Sequence, residues 1–560
     1  MRLLIKSYEC GKFMKAISAE TFVFLNNMNR LHLLISGLII YTNLSAQHWL
    51  WAKGEGGIGN DAANSITTDE NGNAYITGNI AGEADFSGTV YHGNGIYDVF
   101  IAKYNPNGNL LWVKLAGGLG NDQGNCITYK NGFLYVGGSF EDTAYFESEI
   151  ITSKGASDVF VAKYNSDGNL IWIKNAGGNA VDYVTALTID NDENIYAAGY
   201  YQHAIDFDTV HLSSTNIYNE CFLAKYNNNG QQQWATTTTG NNANLITGIA
   251  FDNHQSIYLT GYFGGSYQLA GKTVSSVSVS YDIFLAKVNT TNATCNWMVR
   301  AGSNYEDAAN GVATDKNGMP VITGYFAGTA TFGSNTITYI DYNDIFIARY
   351  DTLGNNLWVH AGKGHQLDEG FGIACDDDGN IFATGMFQNQ VDFDGYVLSG
   401  YDRDIFLVSY NPNGNIRWID KAGGVDTDCG LATTLTNSGA VCIAGYYLHT
   451  CFFGTTQIDY SQNNDLFVAE YSPPAVSTIN ETNTESNAKL FPNPANNYCM
   501  LYLNRAENIQ VRITNQIGEL IFETAATNEL VLPATNLPAG IYFIQILSKN
   551  KMQTLKLLKQ

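Results

Sequence analysis

DVFIAKYNPNGNLLWVKLAGG, running from Asp98 to Gly118, returns as DVFVAKYNSDGNLIWIKNAGG from Asp158 to Gly178. Both halves alternate β-branched or aromatic residues with others around an Asn/Gly-rich centre, which reads as two strands joined by a tight hairpin. Following the tryptophan outward, the pattern recurs at Trp51, Trp112, Trp172, Trp234, Trp297, Trp358 and Trp418, in steps of 60 to 63 residues. An acidic-x-Phe anchor keeps the same phase at Asp98, Asp158, Glu220, Asp282, Asp344, Asp404 and Asp465. A third marker, an apolar side chain at Phe86, Phe146, Phe207, Leu269, Phe332, Phe393 and Phe453, lies between them. Three independent markers sharing one period identify a repeat architecture.

Each copy holds four strand-like segments, A to D, such as NSITTD, NAYITGN, DVFIAKYN and NLLWVKLAG. Glycine in TDENGNAY and YNPNGNLL supplies the positive φ of tight hairpins, pairing A with B and C with D. A four-stranded antiparallel sheet with two apolar faces cannot bury itself, whereas copies arranged radially bury one another. The expected fold is therefore all-β: a seven-bladed β-propeller of four-stranded antiparallel blades over residues 47–471. HWLWAKG precedes the first anchor strand, and NDLFVAEY, the last, has no tryptophan strand after it. The N-terminal strand is thus expected to complete the last blade and close the ring.

Composition narrows function mostly by exclusion. A formal net charge of −23 without a Lys/Arg cluster argues against nucleic acid. The nine cysteines lack CxxC or Cys/His spacing, which argues against zinc, and most sit where a small apolar residue would serve, as buried free thiols. A Cys429–Cys442 or Cys442–Cys451 disulfide is the alternative.

The carriers DVFIAKYNPNGNLLW, GNAYITG and the GGxGND turn resemble the secreted bacterial β-propeller repeats labelled SBBP, over about residues 49–471. The resemblance implies an exported surface protein and leaves the activity open. The fourth copy, QQQWATTTTGNNAN, departs from it by lacking the GlyGly turn and the aspartate, so irregular geometry is expected there.

Both ends of the chain read as addresses. MNRLHLLISGLIIYTNLSAQ begins at Met28 with a basic residue, an apolar run and a small-residue end, the layout of a signal peptide over 28–46. Residues 1–27 read as an upstream misread start. No other window is apolar for long enough to span a membrane, so no transmembrane segment is expected in the mature chain. A polar linker, 472–488, leads to LFPNP, VRITNQIGELIFE and LPAGIYFIQI, which alternate as a small β-sandwich. Together these segments resemble the type A C-terminal sorting domain of the type IX secretion system, over residues 489–560. That resemblance implies the secretion machinery as a partner and a secreted or cell-surface location.

No motif establishes catalysis. GEGGIG at Gly54–Gly59 precedes a strand where a dinucleotide site needs a helix, so it reads as a turn. His360 and His365 stand in a variable segment as lone polar residues, and no nucleophile elbow is present. The most ordered polar feature follows each tryptophan by ten residues: Asp61, Asp122, Asp182, Asn244, Asp307, Asp368 and Asp428. It reads as caps on backbone N–H groups where the chain enters strand A, with a cation site or ligand-facing collar as the alternative. No cofactor is expected, and calcium on this ring is the one weighed against that expectation. Strand parity puts these positions, with the long B–C connections, on one face. Tyr97, Tyr218, Tyr281, Tyr342 and Tyr401 precede strand C there and are candidate ligand contacts, with packing under the loops as the other reading. A constant frame with varied loops suits a binding surface, so the expected function is an exported binding or scaffold protein for glycan or protein. An extracellular carbohydrate-active hydrolase or lyase using loop carboxylates, and a structural envelope component without a ligand, are the alternatives. Enzymatic activity is not the favoured reading.

Overall fold

The computed structural model describes residues 48–459, 463–474, 488–491, 499–503, 509–515, 520–526, 529–532, 537–538, 540–548 and 551–559. The expected misread start and signal peptide (1–46) and linker residues 475–487 lie outside the described residues. All regular elements among the described residues are β-strands.

In the first repeat unit A is Ala62–Thr68, B is Ala74–Ile80, C is Asp98–Tyr104 and D is Leu110–Ala116, hydrogen-bonded in the order A-B-C-D and antiparallel throughout. Two side chains fold the turns. Asp69 Oδ1 accepts from the backbone N–H of Asn71 and Asn73, and Asn105 Oδ1 accepts from Asn107 and Asn109. Gly72 and Gly108 supply φ of 78° and 73° in those turns. Later units repeat this layout, their A strands beginning at Gln123, Asp182, Asn244, Ala308, Glu369 and Asp428. The unit beginning at Asn244 keeps the common A–B register, including the one-residue bulge. Its C–D turn is one residue longer, pairing Val288 with Cys295 where Tyr104 pairs with Leu110, and carries Ala293 at φ of 57°, so the irregularity expected around the fourth copy lies in that turn.

The Gly-to-Trp spacing has a physical cause that spans two units. A Cβ on Gly108 would stand 2.5 Å from Trp51 of the preceding tryptophan strand. Trp112 lies against Gly168, Trp172 against Gly230, Trp297 against Gly354 and Trp358 against Gly414 in the same way. Trp51, Trp172, Trp297 and Trp358 also donate Nε1–H to a carbonyl of that turn, Pro106 O at 3.1 Å in the first case. The lysine of IAKY follows the same logic: Lys103 Nζ lies 4.9 Å over the Tyr75 ring and donates to Ser166 O in the next unit.

Closest to the axis, the residue at each A-strand bulge reaches the next A strand. Asn64 Nδ2 donates to Gly124 O at 3.1 Å and Asn125 Nδ2 to Val184 O at 2.8 Å. Thr185, Thr247 and Asn310 do the same to Ile246 O, Ala309 O and Gly370 O. The corresponding residues of the last two units are Phe371 and Leu431, whose side chains cannot make this bond.

His48–Gly57 pairs antiparallel with Asp465–Ser472, so the N-terminal strand is the outer strand of the last unit. First and last units meet in one core, where Ala63, Ile76 and Phe100 pack with Cys442, Ala444 and Val468. Thr68 Oγ1 donates to Leu435 O across this junction at 2.7 Å.

The long B–C connections are not free loops. Glu83–Phe86 and Thr89–His92 form a hairpin, and its first strand continues onto Gly56 and Gly57 at the end of the preceding outer strand. Ser266–Leu269 is added to Thr238–Gly240 in the same manner. The hairpin turns through Ser87 and Gly88, with φ of 52° and 88°. This explains the third marker: Phe86 ends the hairpin strand, fully buried, 5.4 Å from Phe100 of its own anchor strand.

Cys429, Cys442 and Cys451 are free thiols, so neither Cys429–Cys442 nor Cys442–Cys451 forms a disulfide. Residues 476–560 form a separate compact unit. One sheet there comprises Ala488–Phe491, Cys499–Leu503 and Glu529–Leu532, and a second comprises Leu520–Ala526, Ile509–Asn515, Gly540–Ser548 and Lys551–Lys559. Leu501 and Leu532 of the first share a core with Val511, Ile513, Ile544 and Leu557 of the second.

Candidate functional site

The ring of polar residues ahead of strand A is buried throughout, and Asp61 sets its pattern. Its Oδ2 accepts from Gly57 N–H at 2.8 Å and its Oδ1 from Ala81 N–H at 2.7 Å. Asp122 joins Gly118 to Glu141, Asp307 joins Ser303 to Ala327, and Asp428 joins Gly424 to Leu448. Asp182 accepts from Gly178 N–H and Asp368 from Gln388 N–H. Asp61, Asp122, Asp307 and Asp428 thus each tie the turn after strand D to the end of strand B, and none of the seven lies at the surface as a ligand-facing collar would.

A second buried acid, the anchor of strand C, stands beside each cap. A Cβ on Gly117 would come within 2.5 Å of Asp98 Oδ1 and 2.8 Å of Asp122 Oδ2, and Gly56 separates Asp465 from Asp61 equally closely. Burial pushes the cap acids up, Asp61 and Asp307 to about 7 and Asp182, Asp368 and Asp428 to about 8. Backbone donors offset part of this rise, and the neighbouring anchor carboxylate adds to it. Where the cap is Asn244 the anchor is Glu220, and the Asn244 amide donates to Glu220 Oε2 at 3.4 Å. Among the described residues no group of three or more His, Cys, Asp or Glu side chains is gathered to hold a metal. His360 pairs with Asp394 at 2.8 Å and packs on Tyr410, and His365 is exposed.

The candidate tyrosines do not share one environment. Tyr218, Tyr342 and Tyr401 are exposed, whereas Tyr97 and Tyr281 are half-buried, Tyr281 with its ring 5.1 Å from that of Tyr262. They stand at three different positions ahead of the anchor acid: Tyr401 three residues before it, Tyr218 and Tyr342 two, and Tyr97 and Tyr281 one. In the unit beginning at Glu369 that position is Arg403.

Sequence reasoning missed a more coherent set, the penultimate residue of strand B: Asn79, Ser139, Tyr200, Tyr262, Tyr325, Met386 and Tyr446. Each pairs with the residue directly after the cap of strand A, as Tyr200 with Tyr183 and Tyr325 with Ala308, and so lies at the inner end of the B–C face. Gly-Tyr followed by Tyr or Phe in four copies was the available signal.

Around this inner layer the same face is rimmed with exposed apolar side chains. Ile58, Leu119, Tyr305 and Val425 from the turns after strand D, and Ile96, Ile217, Val279, Tyr342 and Tyr401 from the segments before strand C, are each more than half exposed. The opposite face, made of A–B and C–D turns such as DENGN, NPNGN and DDDGN, exposes polar residues, with Leu353 the large apolar exception.

A family model described as a secretion system C-terminal sorting domain matches residues 489–560, the region of the two-sheet C-terminal unit. The chain carries a type IX secretion sorting domain. A sorting domain of this kind directs export to the cell surface or the extracellular space and engages the secretion machinery. Ahead of the sorting domain, a model described as a beta-propeller repeat, of the SBBP type, matches residues 56–86, which run from the end of the closing strand to the first hairpin of the B–C series. No helix among the described residues is long and apolar enough to cross a membrane.

Curated relatives include an uncharacterized WD repeat-containing protein of Acanthamoeba polyphaga mimivirus, 24% identical over 71% of this chain and 36% of its own length. A regulatory protein, FlaEY, of Caulobacter vibrioides is 23% identical over 52% of this chain and 33% of its own. The chain thus spans about a third of the length of these relatives. Similar solved structures include the quinohemoprotein alcohol dehydrogenase of Comamonas testosteroni, at 9% identity and TM-score 0.37, covering 77% of each chain. The WD40 domain of Neurospora crassa Pan2 gives 9% identity and TM-score 0.33, covering 73% of this chain and 89% of that domain. Scores this low fix neither fold nor function, and the propeller rests on the strand pairings and the repeat match.

Proposed function

We propose that the protein is an exported, non-enzymatic binding protein: a seven-bladed propeller over residues 47–471, sent out by a β-sandwich sorting domain at 489–560 after the linker 472–488. Its B–C face engages an extracellular glycan or a surface protein. The polar ring serves as backbone caps rather than as a cation site, a reading supported by Asp61, Asp122, Asp307 and Asp428, each of which accepts an N–H donor on both carboxylate oxygens.

The observation that carries this reading is the segregation of exposed apolar side chains. Single exposed apolar residues are ordinary on a soluble protein, but a rim repeated around one face, opposite a polar one, marks an interaction surface. The opposite face, built from short A–B and C–D turns between the same strands, shows no such rim.

The test is a pull-down of the intact protein on insoluble polysaccharides and on cell envelopes, with the same supernatants assayed for released reducing ends. Saturable retention without release is the expected result. Release of reducing ends, lost on mutating loop carboxylates, would replace the binding protein with a hydrolase or lyase. Retention by nothing would leave a structural envelope component.

A further inference from the structure

Most positions of the inner layer are fixed by the frame, as the caps and bulge residues are, and frame positions repeat. The penultimate residue of strand B does not. Small polar side chains occupy it in the first two units, as Asn79 and Ser139, while three successive units carry Tyr200, Tyr262 and Tyr325. A position that the fold leaves free, yet fills with aromatic rings along one arc, calls for a reason outside the fold.

The three tyrosines lie at equivalent register positions in successive units, and strand B of each unit packs against strand A of the next, so they follow one another along one arc. Burial raises the pKa of all three. All three are half-buried, and among the described residues no protein group is hydrogen-bonded to their hydroxyls. The next unit ends the arc with a charged pair. Glu369, directly after the cap Asp368, feels the Tyr325 phenol on one side and the Arg403 guanidinium on the other, and Asn343 also hydrogen-bonds to it. Burial raises its pKa, and the Arg403 guanidinium holds part of that rise down.

We propose that this arc is a binding site for a neutral carbohydrate, a sugar unit of an uncharged glycan, an inference that rests on the B–C face being the binding surface. The chemistry matches on three counts. Ring faces stack on the C–H face of a pyranose, and unengaged phenol hydroxyls both donate and accept, as sugar hydroxyls do. Glu369 and Arg403 offer paired acceptor and donor groups whose charges cancel, so they orient a polyol without requiring a charged partner. The exposed Glu306, within reach of Tyr262 and Tyr325, and the overall charge of −23 disfavour an anionic glycan. A peptide strand is less well served, because the outer strand ends beside the B–C hairpins are already paired.

The test is affinity electrophoresis of the intact protein through gels containing dextran, xylan or laminarin as neutral probes, alginate as an acidic one and gelatin as a protein one. Four variants accompany it: Tyr262→Phe, which removes one hydroxyl and keeps the ring, Tyr262→Ala, Glu369→Gln, and Leu119→Ser on the rim. Retardation by a neutral polysaccharide is expected, weakened several-fold by Tyr262→Phe and at least tenfold by Tyr262→Ala and Glu369→Gln, with Leu119→Ser unchanged. Retardation by alginate or gelatin alone would overturn the neutral-sugar assignment and leave the face as a binding surface. Neutral-sugar binding lost in Leu119→Ser but intact in the tyrosine and glutamate variants would move the site from the arc to the rim. No retardation in any gel, together with no retention on envelopes, would remove both the site and the binding reading.

Discussion

Asn244 donates its side-chain amide to Glu220 at 3.4 Å, in the place where every other repeat sets two acids side by side. The amide acts as a permanent version of the proton that a paired carboxylic acid must hold. Replacing it, Asn244→Asp, recreates an acid pair in a buried site. The expected result is a melting temperature near wild type at pH 5 and a clear loss at pH 8, read by differential scanning calorimetry at both values.

The remaining acid pairs predict a pH dependence for the whole ring. Burial raises the folded-state pKa of Asp61 and Asp307 to about 7 and of Asp182, Asp368 and Asp428 to about 8, above their ordinary value of 3.8. A raised pKa means that the folded state binds more protons than the unfolded one above pH 4, so stability falls as pH rises. The stabilising contribution is complete below about pH 4 and lost as pH passes 7 to 8. Thermal melts from pH 5 to 9 should decline steadily, and Asp368→Asn should flatten the decline. A melting temperature that rises over this interval would contradict the buried pairs.

Two glycines with similar φ separate turn strain from packing. Gly88 has φ of 88° with nothing within 4 Å of an added Cβ, whereas Gly108 has φ of 73° and Trp51 at 2.5 Å. Gly88→Ala should cost about 1–2 kcal/mol, the left-handed backbone alone. Gly108→Ala should cost a further 1–3 kcal/mol, roughly, by displacing the tryptophan. Urea titrations of both variants measure the difference.

Ring closure by the N-terminal strand is tested by deleting Gln47 to Gly54. Unpairing Asp465–Ser472 exposes an edge strand, and the truncated protein should aggregate and melt earlier. Identical melting and elution of truncated and intact protein would overturn the closure.

Much of this frame is legible in the sequence because its markers are forced by contacts between units. The tryptophan and the turn glycine recur together since each touches the other's neighbour, and Phe86 recurs since it plugs its own sheet beside Phe100. The caps are legible for the same reason, as Asp61 must meet two backbone donors twenty-four residues apart, Gly57 and Ala81. The hairpins of the first two units were hidden because their turns use Ser87-Gly88 and Glu147-Ser148, whereas Asp394-Gly395 carried a hairpin signal that could have been read. The tyrosine arc was hidden by its own nature: Tyr200 and Tyr262 continue a β-strand pattern, and nothing in alternation says which tyrosine hydroxyl finds a partner.

Phe371 and Leu431 end the relay of bulge-residue bonds around the axis, and the two junctions without one lie on either side of the unit built from both ends of the chain, the second of them spanned instead by Thr68 and Asn437. The barrel therefore has a preferred line of parting. Strands Asp428–Leu435 and His48–Gly57 should exchange their amide hydrogens first, and a pulling force applied to the two termini meets its weakest joint at the place where the circle was last fastened.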